Sequence, residues 1–513
     1  MSKHLPRRSF LKGAAIGAAA VASGLAMNLG KSQDAQAAIQ ERTLPTNWDE
    51  TLDVVVIGSG FAGFAAAAEA AKAGAKTVIL EKMPTYGGNS IINGGLYAAW
   101  DSQLHLRQKF NYGEDSVERH AADTVKGGDE FPMPELAKIL AAGAPDALNW
   151  MINEGGCKLR DALVRAGGHS AYRTHIVEEY NGRGFVEPLR KIAEKNGMQP
   201  LRLETEVTWI WRAADGGPVL GIEVKRGRRT TNIKVNRALV LAAGGFSRDL
   251  KMRTDHYPFL KDNFLSTNHK GATGEMIRYA QNVGADTLQM NFIQLYPYAE
   301  PESGILDEAG LYPFNGPGHG IVYVSKTGKR FVNELERRDV VSFAQLKLGD
   351  ANKPTYSILN MEILKKIGAH EQTVTQFVEK KRIMQADSIG GLADQLQINK
   401  AALEETINKH NQYIKNKKDT EFNKEITPHM VTLEKGPFYG IPQWPAVHHT
   451  MGGLRINPKA QVIDIFGAII PKLYAAGEIC GGVHGSNRLG SNAIPDTIVF
   501  GRIAGVNAAA EKA

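Results

Sequence analysis

Cysteine is almost missing: Cys157 and Cys480 are the only two in 513 residues. That excludes a disulfide framework, and two free buried thiols are expected in preference to a bond between the pair. No Cys-x-x-Cys-His occurs, so no c-type haem is attached, and iron–sulfur cysteine spacing is absent. No metal site is expected. Long apolar runs are missing too. The one candidate, residues 13–29, is rich in Ala and Gly and falls short of the ~20 residues a membrane helix needs. Strong charge of one sign is the third absence. Of the net +7, Lys3, Arg7, Arg8, Lys12 and Lys31 less Asp34 account for +4, leaving +3 for residues 38–513. That is too little, and too mixed along the chain, for a nucleic-acid binder.

The N-terminus does contain Arg7-Arg8-Ser9-Phe10-Leu11-Lys12, then the mild apolar stretch, then Ala35-Gln36-Ala37. Twin arginines before a weakly hydrophobic run and an A-x-A site read as a Tat export signal, cleaved near Ala37; a helical anchor is the alternative. The mature chain is then periplasmic with no membrane span. The length suggests more than one lobe, and 54 glycines suit an α/β protein whose backbone lies against a cofactor.

A linker from residue 38 leads to Leu52-Asp53-Val54-Val55-Val56-Ile57, the pattern of a buried parallel strand. It enters Gly58-Ser59-Gly60-Phe61-Ala62-Gly63, followed by an alanine-rich helix to Lys72, a stop at Gly74 and a second strand, residues 76–80, closing on Glu81. Residues 115–165 read as helices, 206–235 as a β-meander running into a strand at 237–243, and 403–417 as a charged helix. A late strand at 473–476 meets Gly477-Glu478, and residues 498–510 read as a final helix. The expected fold is α/β: a Rossmann-like nucleotide-binding domain split into residues 38–291 and 448–513, with a middle lobe inserted at 292–447.

Strand, turn, helix and an acid 18 residues past Gly63 supply the context that a GxGxxG motif requires. Gly58 permits the tight turn, Gly60 lets backbone approach a pyrophosphate, and Gly63 lets helix pack on strand. The helix N-terminus offers N–H donors to phosphate, and Glu81 would accept from a ribose hydroxyl. FAD is favoured over NAD by Gly87-Gly88-Asn89-Ser90 and Asn93-Gly94-Gly95, where backbone can run along a flat ring, and by the second acid at Glu478.

Further segments carry a resemblance: Gly271-Ala272-Thr273-Gly274-Glu275, Lys329-Arg330-Phe331-Val332-Asn333-Glu334, Arg338-Asp339, His448-His449-Thr450-Met451-Gly452-Gly453 and His484-Gly485-Ser486-Asn487-Arg488-Leu489-Gly490. From about residue 50 onward the chain resembles the flavoprotein subunits of the fumarate reductase and succinate dehydrogenase family. It is most similar to the soluble periplasmic flavocytochrome-c fumarate reductases without their haem domain, and to related urocanate and acrylate reductases. The resemblance implies a Rossmann-like FAD-binding domain of the glutathione-reductase type, with the inserted lobe, residues 292–447, as an α+β clamp (capping) domain. It further implies one FAD per chain, held in addition by Lys82, Val207, Ala243, Gly244, Gly274, Arg488, Ala493 and Ile494. His448 and Arg488 would grip a substrate carboxylate, and Arg338 would be the proton donor; a salt bridge to Asp339 or Glu334 is the alternative for Arg338. His449 would serve the flavin or the clamp. Electrons would come from a separate c-type cytochrome.

The chain departs from that family in three places. Tyr296 replaces the histidine of a Gln-x-His-Pro segment that helps hold a second carboxylate. Pro313, Phe314 and Pro317 fall where its assisting threonine and its proton-resupply glutamate and arginine would lie, leaving Tyr312, His319 or water for resupply. Asn89-Ser90 occupies the place of the histidine that binds FAD covalently, so non-covalent FAD is expected. With Tyr296, Tyr298, Tyr312 and Phe314 at the far end, an α,β-unsaturated monocarboxylate is expected: an aryl acrylate such as cinnamate, an alkyl acrylate such as methacrylate, or urocanate. Fumarate is the alternative substrate; an FAD-dependent desaturase or a flavin electron carrier ranks lower.

Overall fold

The computed structural model describes residues 42–214 and 216–513, and residues 46–513 form one compact unit. The export signal expected over residues 1–37 lies outside the described residues. Among the described residues no helix is long and apolar enough to cross a membrane.

The strand Glu50–Ile57, the helix Phe61–Lys72 and the strand Thr77–Leu80 make the expected βαβ unit, with the strands parallel from Val54/Thr77 to Ile57/Leu80. The meander is present as Glu206–Arg212, Val219–Arg226 and Arg229–Leu241. Its last strand is 13 residues long and absorbs the separate strand expected at 237–243. The C-terminal half of that strand lies parallel to Glu50–Ile57 on one side and to Ile469–Ala475 on the other. Four parallel strands thus end on the same edge. The core they bury is aliphatic and alanine-rich, with the helices Phe61–Lys72 and Ala493–Ala510 packed together through alanines and glycines.

Residues 115–165 are only partly helical. Val117–Gly127 and Pro134–Trp150 are helices, but Leu159–Val164 is a strand of a small antiparallel sheet with Leu96–Ala98 and Thr174–Val177. Apolar residues 162–164 alternate poorly, and strand pairing with Thr174–Val177 decides the outcome. A second core is built on Ile293–Ala299, Val322–Val324, Thr355–Asn360, Met384–Ala386 and Phe438–Thr450. The strand Phe438–Thr450 belongs to both halves of this sheet. Its first residues pair with Thr355–Asn360, its last with Ile293–Ala299, and it ends beside the first core at His448-His449-Thr450. Cys157 and Cys480 are both free and buried.

Seven histidines are buried among the described residues: His120, His169, His175, His319, His410, His449 and His484. Burial holds the first six below the ordinary value, at about 3 for His169 and His410 and about 4 for His175 and His319. Above pH ~6.5 neither folded nor unfolded chain protonates these six. Between there and the folded values the unfolded chain takes up protons that the folded one refuses, so stability falls by about 1.4 kcal/mol per histidine per pH unit. The thermal midpoint should therefore drop from pH 7 to pH 5, with unfolding taking up at least about two protons at the lower pH; a flat midpoint across that range would contradict this packing.

Candidate functional site

The turns leaving the four parallel strands, at Gly58, Glu81, Ala242-Ala243-Gly244 and Ala476-Gly477-Glu478, line a single cleft of about 1040 Å³. Ligands of open α/β sheets sit at this edge, beyond the strand carboxyl ends. Gly58 has φ of +103°, and a Cβ there would lie 2.4 Å from the Ala242 carbonyl oxygen. A Cβ on Gly63 would lie 1.9 Å from the Gly58 carbonyl oxygen, so helix and turn touch backbone to backbone. The helix Phe61–Lys72 opens at Gly60 without a side-chain cap, and Ser90 Oγ accepts from the Phe61 N–H. Its first turn therefore presents amides and the positive end of its dipole to the cleft. Glu81 accepts from the Ser59 N–H and hydroxyl at 3.1 and 2.6 Å and from the Met83 N–H at 3.0 Å, fixing its carboxylate on the cleft wall. The turn, the uncapped helix and the acid together fit a nucleotide with an anionic middle and a ribose at one end.

A second cavity, about 810 Å³, shares Phe61, Asn89, Ser90, Glu478 and Thr497 with the first and extends toward the second core. On one side stand Arg338, Arg488 and His448. Both arginines are buried, and each donates to the same acceptor, Gln294 Oε1, at 3.3 Å from Arg338 and 3.0 Å from Arg488. Neither pairs with a carboxylate among the described residues, and the Nε–H of each has no protein partner there. The acids that stood as alternatives for Arg338 are engaged elsewhere. Asp339 takes Arg337 at 2.6 Å; Glu334 takes Arg330 at 2.8 Å and Lys424 at 3.1 Å. Arg338 lies between aromatic faces, 4.9 Å from the Tyr296 ring and 4.6 Å from Phe314. Burial pushes its pKa down. Burial and then the Arg338 charge push Arg488 well down.

His448 Nδ1 is 2.7 Å from Thr267 Oγ1, and its ring packs 4.8 Å from Tyr296. Burial, then the charges of Arg338 and Arg488, hold it well below the usual histidine value, so it is neutral at pH 7. The one acid on this cavity's wall is Glu478, which accepts from the Thr450 N–H at 3.0 Å and hydroxyl at 3.3 Å. Two buried cations without acids are costly unless an anion joins them. The geometry is an anion grip.

Most residues singled out in the sequence converge here. Gly58, Gly60, Phe61, Ala62, Glu81, Lys82, Gly88, Asn89, Ser90, Val207, Ala243, Gly244, Gly274, Gly477 and Glu478 line the first cavity. Asn93, Gly94, Tyr296, Arg338, His448, His449, Arg488, Ala493 and Ile494 line the second. Gly63 and Gly95 line neither. Gly63 packs helix on turn as its motif position requires, and Gly95 sits where a Cβ would meet Val177 and the Asn181 carbonyl.

Tyr312 and Phe314 do not line the substrate-side cavity, contrary to expectation. Both lie in the buried helix Glu308–Asn315, whose ~100° step per residue turns Leu311 to the cavity and Tyr312 away. Tyr312 gives its hydroxyl to Glu308 at 2.9 Å, and Phe314 backs Arg338 and Gly490. Tyr296 keeps its place, but its hydroxyl donates to the Gly310 carbonyl at 2.8 Å, so it offers a ring rather than a donor. The lining also includes four aliphatic side chains, Ile92, Leu96, Leu306 and Leu311. These four, with Thr267 and Asn268, went unrecognised, since a lone leucine carries no spacing signal; Gln294 was read only as the first residue of the segment that ends in Tyr296-Pro297, with no role of its own.

Residues 53–494 match a family described as FAD binding domain. Over 473 residues, 91% of this chain and 76% of the relative, the protein is 36% identical to a urocanate reductase of Eggerthella lenta. It is 35% identical to the acrylate reductase flavoprotein subunit of Shewanella woodyi over 519 residues, 98% of this chain and 97% of the relative. The open conformation of a flavocytochrome c3 fumarate reductase superposes with a TM-score of 0.70 at 34% identity, covering 90% of this chain and 79% of that one. The nucleotide cleft, the anion grip beside it and this likeness over nine-tenths of the chain lead to one conclusion: the chain belongs to the FAD-binding family of fumarate, urocanate and acrylate reductases, FAD-dependent oxidoreductases that act on carbon–carbon double bonds.

Proposed function

We propose that this protein is an exported reductase of an α,β-unsaturated monocarboxylate with an apolar substituent, fed by a separate c-type cytochrome. The observation that carries this reading is the cavity's polarity. Two guanidiniums without acids and a neutral histidine line it together with the aliphatic Ile92, Leu96, Leu306 and Leu311 and uncharged polar side chains such as Asn93 and Ser491. Export rests on the twin-arginine segment within residues 1–37, and the cytochrome donor on the likeness to a flavocytochrome and the lack of haem or iron–sulfur cysteines here. Residues 38–291 and 448–513 act as the FAD-binding parts, and 292–447 as the clamp over substrate.

The Arg488 fork takes a carboxylate oxygen pair, a match of planar donors to planar acceptors. His448 adds Nε2–H, which requires the tautomer whose Nδ1 accepts from the Thr267 hydroxyl. Drawing charge onto the carboxylate leaves the β-carbon electron-poor. Non-covalently bound FAD, when reduced, supplies the hydride for that carbon. The α-carbon, gaining carbanion character, takes a proton from an Nη of Arg338. An arginine seldom gives up a proton; burial, the nearby Arg488 charge and the lack of an acid partner ease the loss, against the aromatic faces that favour the cation. The Tyr296 ring packs against both Arg338 and His448.

The four aliphatic side chains separate the candidate substrates. A second carboxylate against Ile92, Leu96, Leu306 and Leu311 would be buried without partners, at a cost of several kcal/mol. An imidazole substituent would want an acid, and the two nearest in sequence are engaged. Asp307 caps its helix and pairs with Arg382 at 3.0 Å, Glu308 holds Tyr312, and neither lines the cavity. An aryl or alkyl group would pack against the four aliphatic side chains.

Oxidation of anaerobically reduced viologen should therefore run on cinnamate or methacrylate with kcat/KM about 100-fold above that for fumarate or urocanate. A preference for fumarate or urocanate would overturn the substrate assignment. Arg338→Lys should retain FAD and carboxylate binding while kcat falls on the order of 10³-fold, the scale of a lost positioned acid. Arg488→Met should instead weaken binding of the acid by about 100-fold or more. Equal losses in both parameters for both variants would contradict the division of labour.

A further inference from the structure

Gln294 occupies the one place from which a single atom reaches both guanidiniums. Its Oε1 accepts from Arg338 and Arg488, while its Nε2 donates to Asn487 Oδ1 and to the Arg488 carbonyl oxygen, each at 2.7 Å. The side chain is buried in the strand Ile293–Ala299, two residues before Tyr296. Its amide cannot flip, because flipping would aim the amino group at two cations and the oxygen at two acceptors. A terminus that donates on one side, accepts on the other and carries no charge is an amide, and at this chain length it is glutamine. Glutamate would satisfy the two arginines but would face the Asn487 and Arg488 oxygens with a third acceptor. It would also cancel one of the two charges that make the site attract an anion.

We propose that Gln294 is the positioning residue that yokes Arg338 to Arg488, setting the proton donor against the carboxylate grip while leaving the pair's charge uncompensated for the substrate. The inference rests on the carboxylate-grip reading above and adds to it a division between geometry and charge within one residue. The yoke explains how two like charges share a buried wall without an acid: each loses part of its desolvation cost to a common dipole, and neither is neutralised. It also ties the two arginines to the elements that bear them. Arg488 is reached through both its guanidinium and its own carbonyl, so the loop carrying it is fixed to the strand on which Tyr296 sits.

The test uses FAD-loaded protein carrying Gln294→Glu or Gln294→Met. Binding of the saturated acid 3-phenylpropanoate is followed by the flavin absorbance, and kcat and KM are measured with cinnamate. Gln294→Glu should weaken 3-phenylpropanoate binding by about 30-fold or more, because one unit of charge is cancelled within the grip. Gln294→Met is uncharged. It should leave that binding within about threefold but lower kcat about 10- to 100-fold, the effect of a proton donor moved off its line. A residue that merely supported the fold would make the two variants fail alike, in FAD retention and in both kinetic parameters. Equal 3-phenylpropanoate affinity in the two variants, or a Gln294→Met enzyme with undiminished kcat, would overturn the proposal. A wild-type protein that binds 3-phenylpropanoate but reduces no unsaturated acid would sink the reductase reading while the binding arm still decides the charge role of Gln294. A wild-type protein that binds no carboxylate would overturn both.

Discussion

Two positive charges buried side by side without a counter-ion are the constraint around which this protein is arranged. Taking a guanidinium out of water costs several kcal/mol, and two together cost more, because each also repels the other. The chain meets this cost with distributed, partial compensation: the shared amide oxygen of Gln294, the faces of Tyr296 and Phe314 around Arg338, and the carbonyl of Leu489 accepting from Arg488. No single partner is strong enough to satisfy the pair. An arriving carboxylate is. The nearby acids are diverted to other cations, with Asp339 on Arg337 and Glu334 on Arg330 and Lys424. The affinity for an anion is the stored cost of that arrangement, released on binding.

The same logic places the neutral groups. His448 donates one proton from a ring that the two arginines keep uncharged, so it adds direction to the grip without further repulsion. Glu478, the acid nearest this cavity, is tethered by Thr450 on the side shared with the nucleotide cleft rather than among the arginines. The two cavities are therefore continuous in space, and each offers positive groups of its own, helix amides in one and guanidiniums in the other. An anion in one and the middle of a dinucleotide in the other can lie side by side, each with its own donors.

What could be read from the residues alone was whatever is local. The glycine turn was legible because Gly58, Gly60 and Gly63 answer a backbone demand that only spacing can meet, and the acid at Glu81 follows from the length of one βαβ unit. The strand from Leu159 was misread as helix, since its pairing partner at Thr174–Val177 lies outside any local window. Tyr312 and Phe314 were placed at the substrate's far end by counting back from Arg338 along the family's pattern, which carries no information on which way a side chain points. The buried helix Glu308–Asn315 turned Leu311 inward instead. Gln294 and Arg488 are 194 positions apart; nothing short of the folded chain brings them within hydrogen-bonding reach.

The strand Phe438–Thr450 carries one more implication. It is a single uninterrupted stretch of extended backbone whose first half is stitched into one lobe and whose last residues deliver His448 to the other lobe's cavity. Its last residues lie beside Ile293–Ala299, the strand that carries Gln294 and Tyr296. His448 and Gln294 thus stand on neighbouring strands of one sheet, and Arg488 is tied to the same sheet through Gln294. Both halves of the grip therefore take their positions from a single frame, so a shift of that sheet carries them together and preserves their spacing.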